Sequence, residues 1–379
     1  MVGLRLVGWM LASTAIPVAG SPGANGAAPD SASSEVRPDL IGGREVNTGD
    51  SRVLLVWGTG AALLRSGEGR EWQRVRTRGS ADLAQVAAND TGTVLVAVGA
   101  RGSLLRSTDA GRTWSARRAP STEVDLTTVT WAGNRVWLAA GTGGQIWRSI
   151  DDAQTWRVVK SPLAATLRTL NRDATTGRVL LGGDEGIAGY SQDLGETWQV
   201  TLLEMPDPPT SITSIHRFGE LLLATSGRGR FLISGNGADS WDLLQSISPA
   251  DITGAAHHPA RGLILLTAAN GDVVRSRDGG REWEVGEAAL HGERIHLRAL
   301  RFDDDTNTFV AHAQDGAIVY SRDGEQWERK FQTPRGELRG FFVDSRGAVI
   351  AYGANGLLAV ADDSDGGWIY SSLGDDHPP

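Results

Sequence analysis

A tryptophan closes a short polar segment eight times along this chain, at Trp72, Trp114, Trp156, Trp198, Trp241, Trp283, Trp327 and Trp368. Successive spacings are 42, 42, 42, 43, 42, 44 and 41 residues. Spacing this regular marks a repeat architecture, in which each unit buries its apolar face against the next one. A length of 379 residues would otherwise suggest two or three ordinary domains.

The segment before each Trp is shared. The best copies are Ser107–Trp114 (STDAGRTW) and Ser191–Trp198 (SQDLGETW), and Ser276–Trp283 (SRDGGREW) is close. The copy ending at Trp156 has Ala153 in place of the Gly, and the one ending at Trp241 has Asn236 and Ala238. The copies ending at Trp72 and Trp327 are one residue short, and the last, Asp362–Trp368, is degenerate. The Ser and Asp oxygens (Ser107, Asp109; Ser191, Asp193; Ser276, Asp278) can bond nearby backbone N–H groups and fix a turn. The Gly (Gly111, Gly195, Gly280) can take a positive φ. The Trp (Trp114, Trp198, Trp283) can bury its indole between units. Eight copies spread around a ring cannot converge on one ligand, so the segment reads as a folding device rather than a calcium or sugar site.

A second mark opens each unit: a polar residue followed by Leu or Ile, at Leu40, Leu83, Leu126, Leu167, Ile212, Ile252, Leu297 and Leu338. Each unit then holds four strand-like runs. In unit 2 they are Asp82–Ala88, Thr93–Gly99, Ser103–Ser107 and Thr113–Arg117. Between runs two and three stands a Gly, and Asn270-Gly271, Asp315-Gly316 and Asn355-Gly356 are hairpin signals that predict positive φ at both central residues. Four short antiparallel strands in about 42 residues make one propeller blade. The expectation is an all-β propeller of eight four-stranded blades over residues 37–373, with seven as the alternative count, and a tail over 374–379.

Residues 1–20 place Arg5 ahead of an apolar stretch that ends in small residues, the layout of a cleavable export signal. Residues 21–36 are small and polar and read as a flexible linker. The chain has no Cys, which excludes disulfides, thiolate metal sites and Cys nucleophiles. Its net charge of −8 argues against a general nucleic-acid binder.

The repeated segments resemble Asp boxes, also called bacterial neuraminidase repeats. The pattern from about residue 37 to 372 is similar to the photosystem II stability/assembly factor family and its relatives in non-photosynthetic bacteria; Ser107–Trp114 and Ser276–Trp283 carry the match. The resemblance implies an exported, lumenal or periplasmic accessory protein that binds a membrane-complex subunit during assembly, without cofactor or catalysis. Family members that serve a photosystem usually have seven blades, whereas eight are counted here. A role beside another envelope complex or transporter is therefore kept open.

Enzyme chemistry finds little support in the residues. Sialidases share Asp boxes, but the Arg-Ile-Pro motif is absent at Arg37-Pro38, and Tyr190, Tyr320, Tyr352 and Tyr370 all belong to repeat strands. A glycosidase carboxylate pair stays open, since nothing singles one out among 45 acids. His257, His258, His291 and His296 lack zinc-ligand spacing, and His257-His258-Pro259 reads as a turn. Asp303–Asn307 starts like a calcium loop but lacks its Gly and ends on Gln314. No metal is expected.

A binding rim would use the irregular loops. These are Arg117–Glu123, Glu204–Pro209, His291–Arg294 and Pro334–Glu337. Arg101, Arg228 and Arg230 in the hairpin turns, with Arg117 and Arg118, are the candidates for gripping an acidic peptide segment. Arg65, Arg106, Arg148 and Arg275, each just before the Ser of its segment, read either as a basic strip or as packed, paired side chains.

Overall fold

Short apolar runs alternating with glycine turns fold each unit into one four-stranded antiparallel sheet. The computed structural model describes residues 37–49, 51–77, 79–159, 161, 163–203, 210–244, 248–332, 337–361 and 368–370. The stretches expected to be an export signal, a linker and a tail, most of the degenerate last segment and the loops Glu204–Pro209 and 333–336 lie outside these residues. In blade 1 the strands are Leu40–Asn47, Arg52–Gly58, Leu63–Ser66 and Gln73–Arg74, paired in chain order. Seven further blades repeat that order. Their innermost strands are Leu83–Ala88, Leu126–Gly133, Leu167–Arg172, Ile212–Phe218, Ile252–His258, Leu297–Asp303 and Leu338–Val343. All eight begin at the Leu or Ile that opens the unit.

The second strands, such as Leu95–Gly99 and Val179–Gly183, are buried along their whole length, which is why they read as continuous apolar runs. Outside blades 6 and 7 the outermost strands are short; Gln73–Arg74 and Ser115–Ala116 are exposed pairs of residues. Short edges of this kind blunt edge-to-edge aggregation.

Eight apolar clusters hold the ring, one at each seam, and each takes the repeat Trp of its later blade. Trp114 of blade 2 packs with Val46 and Leu55 of blade 1. Trp283 of blade 6 packs with Leu223 and Phe231 of blade 5. At the closing seam Leu54, Val56 and Trp72 of blade 1 meet Phe342, Ile350 and Val360 of blade 8. At about 2 kcal/mol per fully buried large apolar side chain, these seams outweigh anything the short outer strands contribute. Closure needs no strand exchanged between the chain ends. Polar contacts finish it: Arg52 pairs with the buried Asp344 carboxylate, and the Ser345 N–H and hydroxyl donate to Glu45 at 2.6 and 2.7 Å.

Where the residue before an innermost strand is Asp, it has a defined task. The Asp82 carbonyl accepts from Ala100 N–H of its own blade at 2.9 Å, while its carboxylate accepts from Gly60 N–H of the preceding blade at 2.8 Å. Asp125 repeats this with Arg101 N–H of blade 2, Asp251 with Arg228 N–H of blade 5, and Asp39 with Asn355 N–H of blade 8. One short side chain thus staples two blades. Just after it, every innermost strand carries a bulge between its first and third residues.

Three local expectations are corrected. Asn355-Gly356 has positive φ at both residues, 56° and 72°, but at Asn270-Gly271 and Asp315-Gly316 the Gly alone is left-handed. His257 and His258 lie in the innermost strand of blade 6 rather than in a turn, because the His258 ring packs 4.6 Å from Phe302. The His291–Arg294 loop is a hairpin: Glu284–Leu290 turns back into Glu293–Ile295, and Ala289–Leu290 runs parallel to Gln326–Trp327 of blade 7. That pairing joins blades 6 and 7 into one nine-stranded sheet.

Candidate functional site

Alternating strand direction gives the ring two rims. One carries the first turn of each blade and the Ser-x-Asp-x-Gly segment; we call it the segment rim. The other carries the hairpins between strands two and three and the connections between blades; we call it the hairpin rim.

On the segment rim the repeated residues satisfy one another. Ser107 Oγ accepts from Gly111 N–H at 2.9 Å and donates to Asp109 Oδ1 at 2.8 Å. Asp109 also accepts from the Thr113 N–H at 2.9 Å and hydroxyl at 2.6 Å. Trp114 Nε1–H donates to the Gly111 carbonyl at 3.1 Å. Ser191, Asp193 and Gly195 repeat the arrangement at 2.7 and 2.8 Å, with Trp198 packed in the next seam. Ser276, Asp278, Gly280 and Trp283 do the same. Gly111, Gly195 and Gly280 have φ of 78°, 82° and 96°, where a side chain is disfavoured. Partial burial alone would raise the Asp109 carboxyl. The bonds from Thr113, Ser107 and Arg112 N–H outweigh it and hold the group below the usual carboxylate range. A carboxylate so occupied has little left for a ligand. Among the described residues, no group of acids and histidines is arranged to hold a metal ion. Asp303 is used in the same way, accepting from Asp305 N–H and the Thr306 hydroxyl.

The arginines before each Ser are clasps between blades. Arg65 Nε–H donates to the Ala110 carbonyl at 3.0 Å, Arg106 to Asp152, and Arg148 to Leu194 at 2.9 Å. Each acceptor is a left-handed residue in the next blade's segment, with φ of 58°, 59° and 58°. Arg275 instead pairs with Glu284 and with Glu325 of blade 7. The basic strip is therefore consumed by the fold.

The hairpin rim is different. Arg101 and Arg228 stand exposed at the tips of the blade 2 and blade 5 hairpins, in left-handed conformation at φ 53° and 60°. Their N–H groups are held by Asp125 and Asp251. Neither guanidinium forms an ion pair among the described residues. Arg230 is half-buried beside Arg228. Arg118 is exposed on the connection after blade 2, whereas Arg117 is half-buried, with its Nε buried and its charge felt by Arg106. The structure thus gathers Arg101, Arg117 and Arg118 at blades 2 and 3 and sets Arg228 and Arg230 three blades away. Arg294 is neutralised by Asp272 and Glu287.

Candidate acid–base groups are subdued. Burial, and then the Arg301 charge, push the His216 imidazole down to about 4. Burial, and then Arg298, do the same at His312. Both rings are neutral near pH 7. Tyr190 lies under Arg178, 4.1 Å from the ring centroid.

The chain's repeats also match a family model. The model for the photosynthesis system II assembly factor YCF48 matches residues 64–359. The chain belongs to that family. No curated protein matches it in sequence. Among solved structures, YCF48 bound to a D1 peptide is 16% identical, covers 76% of this chain and 92% of its own, and superposes with a TM-score of 0.55. YCF48 from Cyanidioschyzon merolae is 18% identical, covers 73% and 94%, with a TM-score of 0.55. Sqt1 from Saccharomyces cerevisiae is 11% identical, covers 86% and 96%, with a TM-score of 0.66. At these identities the likeness speaks for the propeller fold. Among the described residues, no helix is long and apolar enough to cross a membrane.

Proposed function

We propose that this chain is an exported, non-catalytic assembly factor that holds an acidic segment of a membrane-complex subunit on its hairpin rim. The observation that carries the reading is the contrast at Arg101 and Arg228: these side chains are exposed and without an ion pair among the described residues, while the arginines of the segment rim are clasped between blades. Guanidinium groups of this kind suit carboxylates presented by a peptide. The family match supports it, since a YCF48 relative has been captured with a D1 peptide. Residues 1–20 supply the export signal in this reading, and residues 21–36 the spacer that follows it. The Ser-x-Asp-x-Gly segments are then Asp boxes serving the fold.

The test is capture from detergent-solubilised membranes of the source organism. Wild-type protein should retain one membrane complex, and the R101A/R228A/R230A variant should lose it while melting as before. Equal retention by both proteins would refute the rim assignment. Export is checked separately, by asking whether the chain made in its host begins after residue 20 and fractionates outside the cytoplasm.

A further inference from the structure

The eight innermost strands enclose the ring's central channel, and its lining is of one sign from the hairpin-rim end to mid-height. Over the second to fifth residues of these strands the charged side chains are Arg44, Arg168, Arg298, Arg301 and Arg339, with no Asp or Glu. This occurs in a chain whose net charge is −8. Two of the five are neutralised: Arg168 by Asp184 at 2.6 Å, and Arg339 by Asp39 and Glu337. The other three have no carboxylate partner among the described residues. Arg44 donates to the carbonyls of Glu45 and Val86, and Arg301 to that of Leu300. Nearby acids are engaged elsewhere: Glu45 with Ser345, and Asp303 with its own turn.

The innermost strands are covered on both faces by neighbouring blades, so an exposed side chain at mid-strand reaches water through the channel. Arg298 and Arg301 are exposed. Hydroxyl groups enrich the blade 5 wall, where Ser214 bonds both Thr225 and His216. Like charges confined between low-dielectric walls repel, and they concentrate counter-ions. A guanidinium fork meets an oxyanion with two parallel bonds.

We propose that the channel binds a small multivalent oxyanion, a phosphate- or carboxylate-bearing solute, held by Arg298 and Arg301 of blade 7 with Arg44 of blade 1. This site is on other blades than the Arg101 and Arg228 tips proposed to hold a partner.

The experiment is calorimetric titration of the full chain at low salt, with inorganic pyrophosphate in one arm and citrate in the other. Wild-type protein should bind at one site per chain, and the tighter probe names the class of solute. The R298Q/R301Q variant should bind roughly tenfold weaker or worse. Because both residues are exposed, its melting without ligand should match wild type, and it should lose the ligand-induced rise in melting temperature. R101A/R228A/R230A should bind the anion unchanged even where it loses the membrane partner, so the two proposals can fail independently. No binding of either probe, equal binding by R298Q/R301Q, or loss of anion binding in the hairpin-tip variant would each overturn the channel assignment.

Discussion

The two rims are built from the same repeat and hold their turns by opposite means. On the segment rim, side chains do the work: a Ser, an Asp and a Thr saturate the backbone of one turn, and an Arg from the preceding blade clasps it. On the hairpin rim, backbone crosses backbone. A Cβ built on Gly58, Gly99, Gly141 or Gly353 would lie 1.9–2.1 Å from the carbonyl oxygen of the residue before the innermost strand. The tip N–H groups are taken by Asp carboxylates of the next blade, and outside blades 6 and 7 the tip side chains carry little structural duty, varying from Gly60 and Gly143 to Arg101, Glu185, Arg228 and Asn355. A rim fixed by side chains has none to offer a partner. A rim fixed by its backbone can carry any.

The comparison breaks most readily at Gly99. Its φ of −178° suits any residue, so Ala fails there through contact alone. Gly99→Ala should force the hairpin off Asp82 and cost about 3 kcal/mol, read as a lower denaturant midpoint. An unchanged midpoint would mean the hairpin rim is not held by close backbone approach. Ser107→Ala on the other rim should cost about 2 kcal/mol, because Gly111 N–H is left buried without an acceptor.

How much of this was legible follows from which contacts are local. The eight strand starts and the Trp-bearing segments were readable because each repeats its own chemistry within a few residues. Contacts between blades were not. Asp82 was visible as a mark, but its bond to Gly60 N–H spans 22 residues and joins two units. The clasps did leave a signal: Arg65 to Ala110, Arg106 to Asp152 and Arg148 to Leu194 are 45, 46 and 46 residues apart, one repeat plus a few residues. The channel arginines escaped notice because strands 40 or more residues apart line it together, and sequence alone does not show which paired charges cancel. At Asn270 and Asp315 the dipeptide rule misled, since side chains there bond their own hairpins: Asn270 takes the Asp272 N–H, and Asp315 takes the Ala317 N–H.

Acid should distinguish the rims more gently. The carboxyls of Asp109, Asp151 and Asp193 are partly buried, which would raise them, but their hydrogen bonds hold all three below the usual range. A depressed folded-state pKa gives stability that is present above the unfolded value near 3.9 and is lost as pH falls through the folded one. The segment rim should therefore loosen below about pH 4. Blade 5 already carries the control: Asn236 replaces the Asp and still accepts from Ser234 and from Ser240 N–H at 3.0 Å. The D109N/D151N/D193N variant should keep most of its stability at pH 7 and show a smaller loss of melting temperature between pH 6 and pH 3 than wild type. An equal loss would place the acid sensitivity elsewhere.

The smallest expected effect on stability tests the comparison most directly. Arg101 occupies a left-handed position, φ 53°, where Gly60 and Gly143 stand in the flanking blades. A non-glycine residue in that conformation costs about 1 kcal/mol, and the exposed guanidinium returns nothing to the fold among the described residues. Arg101→Gly should therefore leave the denaturant midpoint unchanged or raise it by up to about 1 kcal/mol. If the hairpin rim is the binding rim, the same substitution should weaken partner capture, separating function from stability at a single residue. A variant that is destabilised would show that the tip does serve the fold, and the division of labour between the rims would fall with it.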